Sequence, residues 1–394
     1  MATATPGRFA TRGQEPAVAA VRALLASGAP HAVMLIGPAS SGKTTLGLDL
    51  AAALLCGAPA VADRPCGDCR GCRLVAAGAH PDLHRLAPSG PGREIRIGEE
   101  LERDAGTIRG LIATLALLPV EGGARVALVE DAGRMNEMAQ NAILRTLEEP
   151  PAGVTIVLCV DDEAQLLPTV RSRCARIRLG PVAPRVIEGI LVERGLADAP
   201  TGARLARLAA GRPGLAIALA ASPGAVTARS EIARTLLDLL RAGRAGRLAA
   251  VRELVGRAGD IARAVDAATE PVDEPQGADE PGTAPDADMT AGPAPASAAK
   301  RPAAERRRAA LALLGVWRDV GRDLLVVSRG GRAQVVDHTL LEELESAVAG
   351  LDPEALAAFL GRLDRTAALI AGNVNPELAL DVLVLAWPTP GVRA

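Results

Sequence analysis

The stretch Gly37-Pro38-Ala39-Ser40-Ser41-Gly42-Lys43-Thr44-Thr45, preceded by His31-Ala32-Val33-Met34-Leu35-Ile36, decides the fold of this chain. The apolar run reads as a buried strand, and residues 44–55 (TTLGLDLAAALL) read as a helix. The loop between them has the form G-x-x-x-x-G-K-[S/T]. Its glycines let the backbone curl so that successive N–H groups face phosphate oxygens. The Lys43 ammonium then reaches the β- and γ-phosphates, and the Thr44 hydroxyl can ligate Mg2+. The helix N-terminus behind the loop adds its own attraction for an anion. Lys43 is one of only two lysines in 394 residues, in a chain that otherwise carries positive charge on arginine. Strand, loop and helix in this order predict a nucleotide-binding α/β domain for ATP or ADP with Mg2+. The plainer alternative is a glycine-rich turn with an incidental lysine.

A second strand, Arg125-Val126-Ala127-Leu128-Val129, ends in Glu130 and Asp131. An NTPase needs carboxylates across from its phosphate loop, one to organise Mg2+ through water and one to polarise the attacking water. The usual order is Asp then Glu. Here it is reversed, so each carboxylate sits about one methylene from its expected place, an error that costs rate steeply. Nucleotide binding is expected to survive and hydrolysis to be slow or absent. The plainer alternative is a strand that ends in solvated acids.

Cys56, Cys66, Cys69 and Cys72 fall within seventeen residues, three of them at C-x2-C spacing. Four thiolates so placed can close a tetrahedron around Zn2+ with no open position, which makes a structural site. Cys159 and Cys174 have no such neighbours and read as packing residues. The fourth constellation is Ser172-Arg173-Cys174, just before a further strand. An arginine there can reach a neighbouring subunit's γ-phosphate as a finger, or it can be surface charge, as Arg171, Arg176 and Arg178 can.

Bulk properties narrow the function classes. The chain has no tyrosine, two phenylalanines and two tryptophans, so an aliphatic, mostly helical core is expected. A formal net charge of −2 argues against a free-standing nucleic-acid binder, and the scarcity of aromatics removes a stacking platform for single strands. No 18-residue apolar run or signal-peptide pattern is present, so a cytoplasmic protein without disulfides is expected. Strands are predicted at Ala32–Ile36, Leu83–Leu86, Arg125–Val129, Val154–Val160 and 176–179. Helices are predicted between them at 99–118 and 138–149, with Asn136 as a cap. Strands alternating with helices imply a parallel sheet covered on both faces. Beyond Pro184 the pattern is helical, with short helices at 185–194 and 202–210, a turn at 211–214, and further helices to about 268. Residues 270–301 are rich in Pro, Gly, Ala and acids and read as a disordered insert. Helices resume at 303–327, 340–351, 353–369 and 376–387.

The order of these motifs resembles the AAA+ clamp-loader family, and within it the delta-prime subunits of bacterial DNA polymerase III. The matching segments are the phosphate loop, the four-cysteine module after the first helix, His80-Pro81-Asp82, and Asn141-Ala-Ile-Leu-Arg-Thr-Leu-Glu-Glu-Pro-Pro151. They continue with Ser172-Arg173-Cys174 and Asn373-Val-Asn375-Pro376-Glu-Leu-Ala-Leu380. The resemblance implies a RecA-like AAA+ domain (1–179), a small helical lid (180–222) and a helical collar (223–394) that holds a hetero-pentamer together. It implies gamma/tau and delta subunits as partners, with the sliding clamp and primed DNA reached through the complex. It also implies that Arg173 projects into an adjacent motor subunit's ATP site. Two positions depart from the family: the polar sensor at the end of the fourth strand falls on Val160, and the lid arginine falls near Gly214. With the reversed acids, these departures favour a delta-prime role over a gamma/tau-type motor with active hydrolysis. The third reading, an unrelated phosphate-loop ATPase or zinc-stabilised binding module, predicts no association with clamp-loader subunits.

Overall fold

The computed structural model describes residues 7–28, 30–89, 94–98, 106–121, 123–269, 303–372 and 374–391. The segment 270–301, expected to be a disordered insert, lies outside the described residues. The chain divides into two units, Met1–Ala220 and Ala221–Ala394.

The first unit opens with α1 (Glu15–Ser27), β1 (Ala32–Ile36), α2 (Lys43–Leu54) and α3 (Arg70–Ala76). It continues with β2 (Leu83–Leu86), α4 (Ile108–Leu115), β3 (Arg125–Val129), α5 (Glu137–Glu148) and β4 (Val154–Val160). Then come α6 (Pro168–Arg171), β5 (Ala175–Arg178), α7 (Pro184–Glu193), α8 (Ala199–Leu208) and α9 (Pro213–Ala221). The five strands are all parallel, in the order β2-β3-β4-β1-β5. Every residue of β1, β3 and β4 is buried, as expected for strands covered on both faces. The two-residue period sorts β1: Met34 and Ile36 join α4 and α5 on one face, while Val33 and Leu35 pack against α1 and α2 on the other. This is the parallel sheet covered on both faces that the sequence predicts, and helices follow it.

Four strands begin and end where the sequence placed them. The fifth starts one residue early, at Ala175, although Leu179 still donates its N–H to Ile36 O at 2.7 Å. The helix expected over 99–118 is confined, among the described residues, to Ile108–Leu115. Its first two residues bond to the chain before it, Ile108 N–H donating to Arg96 O and Arg109 N–H to Ile97 O, both at 3.0 Å. Thr107 sets the start, because its Oγ1 accepts the Gly110 N–H and caps α4. Asn136 caps α5 as predicted, accepting the Ala139 N–H at 2.9 Å.

The second unit is helical: α10 (Pro223–Asp238), α11 (Arg244–Thr269), α12 (Ala303–Ser328), α13 (Leu341–Val348), α14 (Pro353–Ala371) and α15 (Pro376–Leu385). Its core departs from the aliphatic expectation. Trp317, Phe359 and Trp387, three of the four aromatics in the chain, pack together with ring centroids 4.7 to 5.5 Å apart. The Trp387 indole N–H donates to Leu236 O at 2.9 Å, fixing the chain end beyond α15 against α10. The buried Arg247 guanidinium donates to the carbonyls of Leu240, Trp387 and Pro388, and a second buried arginine, Arg229, pairs with Asp319 at 2.6 Å. No helix among the described residues is long and apolar enough to cross a membrane.

Candidate nucleotide site and cysteine cluster

The phosphate loop leaves the C-terminal end of β1 at the point where the sheet order turns back, between β4 and β5. Crevices at such points, outside the carboxyl ends of parallel strands, are where open α/β sheets bind ligands. Gly37 N–H donates to Val160 O at 3.1 Å, which fixes the start of the loop beside the end of β4. Gly42 enters α2 in the left-handed region at φ 99°, and no side chain caps the helix. The first N–H groups of α2 therefore have neither an intrahelical acceptor nor a side-chain one. Ser40 also sits in the left-handed region, at φ 64°, a conformation that costs a non-glycine residue about 1 kcal/mol. Pro38, Ala39 and Thr45 are exposed and Thr44 half-buried, whereas Ser41 is buried with no hydrogen-bond partner for its hydroxyl.

Lys43 is itself buried, and its three ammonium N–H bonds are all used. They go to Gly37 O at 2.7 Å, Pro38 O at 3.0 Å and Asp161 Oδ1 at 2.7 Å. The sequence pattern does not single out Asp161: the polar sensor position falls on Val160, which is fully buried within β4. The next side chain, Asp161, is the one that reaches the loop, because the β1–β4 register pairs Ile36 with Val160 and so sets residue 161 beside residue 37.

The paired acids after β3 part company. Glu130 Oε1 lies 2.7 Å from Arg85 Nη2, an ion pair with the edge strand β2. Asp131 adopts φ 52° and pairs with Arg134 at 3.2 Å. Burial holds the Asp131 carboxyl above its usual range. Arg134 opposes that rise, and nearby Asp161 adds to it. Asp131 feels the charges of both Asp161 and Lys43.

The start of α9 lies against the same loop. Gly214 N–H, at the start of α9, donates to Ser40 O at 2.9 Å. A Cβ on residue 214 would come within 3.0 Å of the Ser40 Cβ, so the glycine permits a backbone contact that a long side chain would hold open. A glycine stands where the resemblance implies an arginine, with Arg212 two residues before it.

Arg173 lies apart from the loop, on the turn between α6 and β5. Its guanidinium donates to Thr169 O at 2.7 Å and pairs with Glu148 at the end of α5. The Ser-Arg-Cys and Leu-Glu-Glu-Pro-Pro motifs are thus joined by an ion pair. Arg176 and Arg178 pair with Glu163 on the surface.

The sulfurs of Cys56, Cys66, Cys69 and Cys72 lie within 4.8 Å of one another. A tetrahedron with metal–sulfur bonds near 2.3 Å has edges of about 3.8 Å, so four converging sulfurs at this range fit a metal ion. Backbone N–H groups point at the sulfurs: Cys66 N–H at Cys56, Cys69 N–H at Cys66 and Cys72 N–H at Cys69, each at 3.4 Å. Burial raises the Cys69 thiol, but the N–H groups of Cys72 and Gly57 with the neighbouring thiols outweigh it, lowering the pKa to about 6. His80 stands outside the set, its Nδ1 accepting the Asp82 N–H. Cys159 and Cys174 are buried in the core, where burial pushes their thiols up to about 12 and about 11.

With that geometry established, residues 13–183 match a family model described as DNA polymerase III, delta subunit. The resemblance to delta-prime subunits holds. The DNA polymerase III subunit delta' of Pseudomonas aeruginosa is 37% identical over 185 residues, which cover 46% of this chain and 53% of that protein. The Escherichia coli K12 subunit delta' is 35% identical over 189 residues, covering 48% and 54%. Similarity to motor-type relatives is lower: the gamma/tau subunit of Mycobacterium bovis is 30% identical over 194 residues, 47% of this chain and 31% of that one. The chain spans about half the length of the curated relatives it matches. Among solved structures, a DNA polymerase III gamma-subunit-related protein from Thermotoga maritima aligns over 94% of this chain and 98% of its own, at 16% identity and a TM-score of 0.38.

Proposed function

We propose that this chain is a clamp-loader subunit of the delta-prime type. It binds nucleotide at residues 37–45, hydrolyses it weakly or not at all, and donates Arg173 to the ATP site of a neighbouring gamma/tau-type subunit. In that role it works with gamma/tau and delta subunits to load the sliding clamp onto primed DNA in the cytoplasm. Residues 1–179 act as the AAA+ domain, 180–222 as the lid and 223–394 as the collar that holds the assembly.

One observation carries the reading: the charged groups an ATPase would turn on its substrate are committed within the chain. Lys43 is held by Asp161, and Glu130 by Arg85. Hydrolysis depends on positioned, uncommitted charge around the γ-phosphate. The stronger similarity to delta' than to gamma/tau relatives supports the same choice.

The four cysteines bind one Zn2+ in this reading. Four thiolates leave no open position, so the metal ties residues 56–72 together and takes no part in catalysis. Steady-state ATP turnover by the purified chain tests the proposal. Little or no turnover, with co-purification of gamma/tau and delta subunits, is the expected result. Brisk turnover by the isolated chain would favour the motor reading, and failure to associate would remove the clamp-loader reading altogether.

A further inference from the structure

The bond between Lys43 and Asp161 has a consequence for affinity. An ammonium has three N–H donors, and those of Lys43 are spent on Gly37 O, Pro38 O and Asp161 Oδ1. The two carbonyls belong to the loop and move with it. Asp161 alone comes from elsewhere, and it alone carries charge. A phosphate oxygen approaching this lysine must take a donor already in use. The donor most like its own target is the one now given to a carboxylate.

We propose that Asp161 acts as a built-in competitor for the phosphate-binding lysine, its carboxylate occupying the Lys43 ammonium that a nucleotide's β- and γ-phosphates require, and so sets how tightly this subunit binds nucleotide. The proposal rests on the reading of residues 37–45 as a nucleotide site. Geometry makes the competition unavoidable. Asp161 follows β4 directly, and the parallel pairing of Ile36 with Val160 holds it beside the loop. The Lys43 side chain is buried at 9% exposure while that of Asp161 is 41% exposed, so water screens the pair from the carboxylate side only. A nucleotide that displaces Asp161 leaves that carboxylate close to its own phosphates. Asp131 adds a second negative charge nearby, close enough for Asp161 to raise its carboxyl. The remaining acid, Glu130, is neutralised by Arg85. Removing the Asp161 charge leaves Lys43 its two loop carbonyls as hydrogen-bond partners and frees the ammonium's charge for an incoming phosphate.

The test uses the full-length chain as it exists, titrated with MgATP and with MgADP in parallel. Wild type is compared with Asp161→Asn, Asp161→Ala, Lys43→Ala and the double variant Lys43→Ala/Asp161→Asn, with thermal melts confirming that each is folded. Removing a unit charge at this range predicts binding at least about tenfold tighter in both Asp161 variants. Most of the gain should be lost in the Lys43→Ala background, because the competition is for that ammonium and only the repulsion between Asp161 and the phosphates remains. Equal or weaker binding by the Asp161 variants, with measurable binding by wild type, overturns the proposal and leaves the nucleotide site standing. So does a gain that is undiminished without Lys43. Binding by none of the proteins overturns both the proposal and the nucleotide reading beneath it.

Discussion

Arg173 pairs with Glu148, and this one ion pair locks the turn before β5 to the end of α5. Unlike the Lys43 ammonium, whose three donors are all taken, the partly exposed guanidinium has five, and its bonds to Glu148, Thr169 and Ser172 orient it with donors still to give. A finger that must meet a phosphate in another subunit gains from being held before the subunits meet, since ordering it on binding would cost entropy.

Replacing Arg173 should therefore affect the assembly and not the subunit. Arg173→Ala is expected to lower ATP turnover at the one site it serves by about 10³-fold, with an unchanged melting temperature for the isolated chain. Arg173→Lys should recover little, because a lysine lacks the planar fork. Glu148→Gln should cause a smaller loss, on the order of tenfold, by loosening the arginine's direction. Single-turnover measurements on the reconstituted complex check all three.

Metal removal should act on stability. One Zn2+ per chain is expected by elemental analysis. Cys69→Ser, or exhaustive chelation, should lower the melting temperature of the first unit by on the order of 10 °C. A fully folded preparation without metal and with an unshifted melt would contradict a structural zinc.

Asp82 makes a pH prediction with a definite sign. Burial raises its carboxyl, but the N–H groups of Glu121 and Val120 and the Arg125 guanidinium outweigh that and hold it below the usual 3.8. A depressed carboxyl contributes stability above its unfolded pKa and loses it as pH falls through the folded value. Asp82→Asn, which leaves Arg125 buried beside a neutral partner, should cost about 3 kcal/mol near neutral pH. Denaturant titrations should show the gap from wild type closing as pH falls below about 4. A gap that stayed constant down to acid pH would remove the assignment.

In the helical unit, Arg229→Ala should cost about 3–5 kcal/mol, because it strands the Asp319 carboxylate in the core. The double change Arg229→Met/Asp319→Leu removes both charges and should recover most of that loss. Equilibrium unfolding of wild type, Arg229→Met, Asp319→Leu and the double variant forms the cycle that measures it.

The sequence carried what depends on neighbours along the chain. Five consecutive apolar residues before a glycine loop specify β1, and Asn136 specifies the start of α5, because strand burial and capping are written locally. The four cysteines were legible because metal ligation constrains spacing. What escaped depends on which strands lie side by side. Arg85 neutralises Glu130 only because β2 pairs with β3, in a register that matches Arg85 with Leu128 and so brings it alongside residue 130. Asp161 reaches Lys43 only because β4 pairs with β1, and these residues lie 118 apart in sequence. The aromatic cluster escaped for the same reason: composition counted its members as scarce, and tertiary packing gathered three of them in one unit.

The central claim is that this chain grips a triphosphate without splitting it and serves its neighbour through Arg173. Steady-state ATP turnover of the reconstituted loader, with either Lys43→Ala or Arg173→Ala in this subunit alone, tests it most directly. The account predicts turnover close to wild type with Lys43→Ala and a marked loss with Arg173→Ala. The reverse pattern, with turnover lost through Lys43 and indifferent to Arg173, would contradict it.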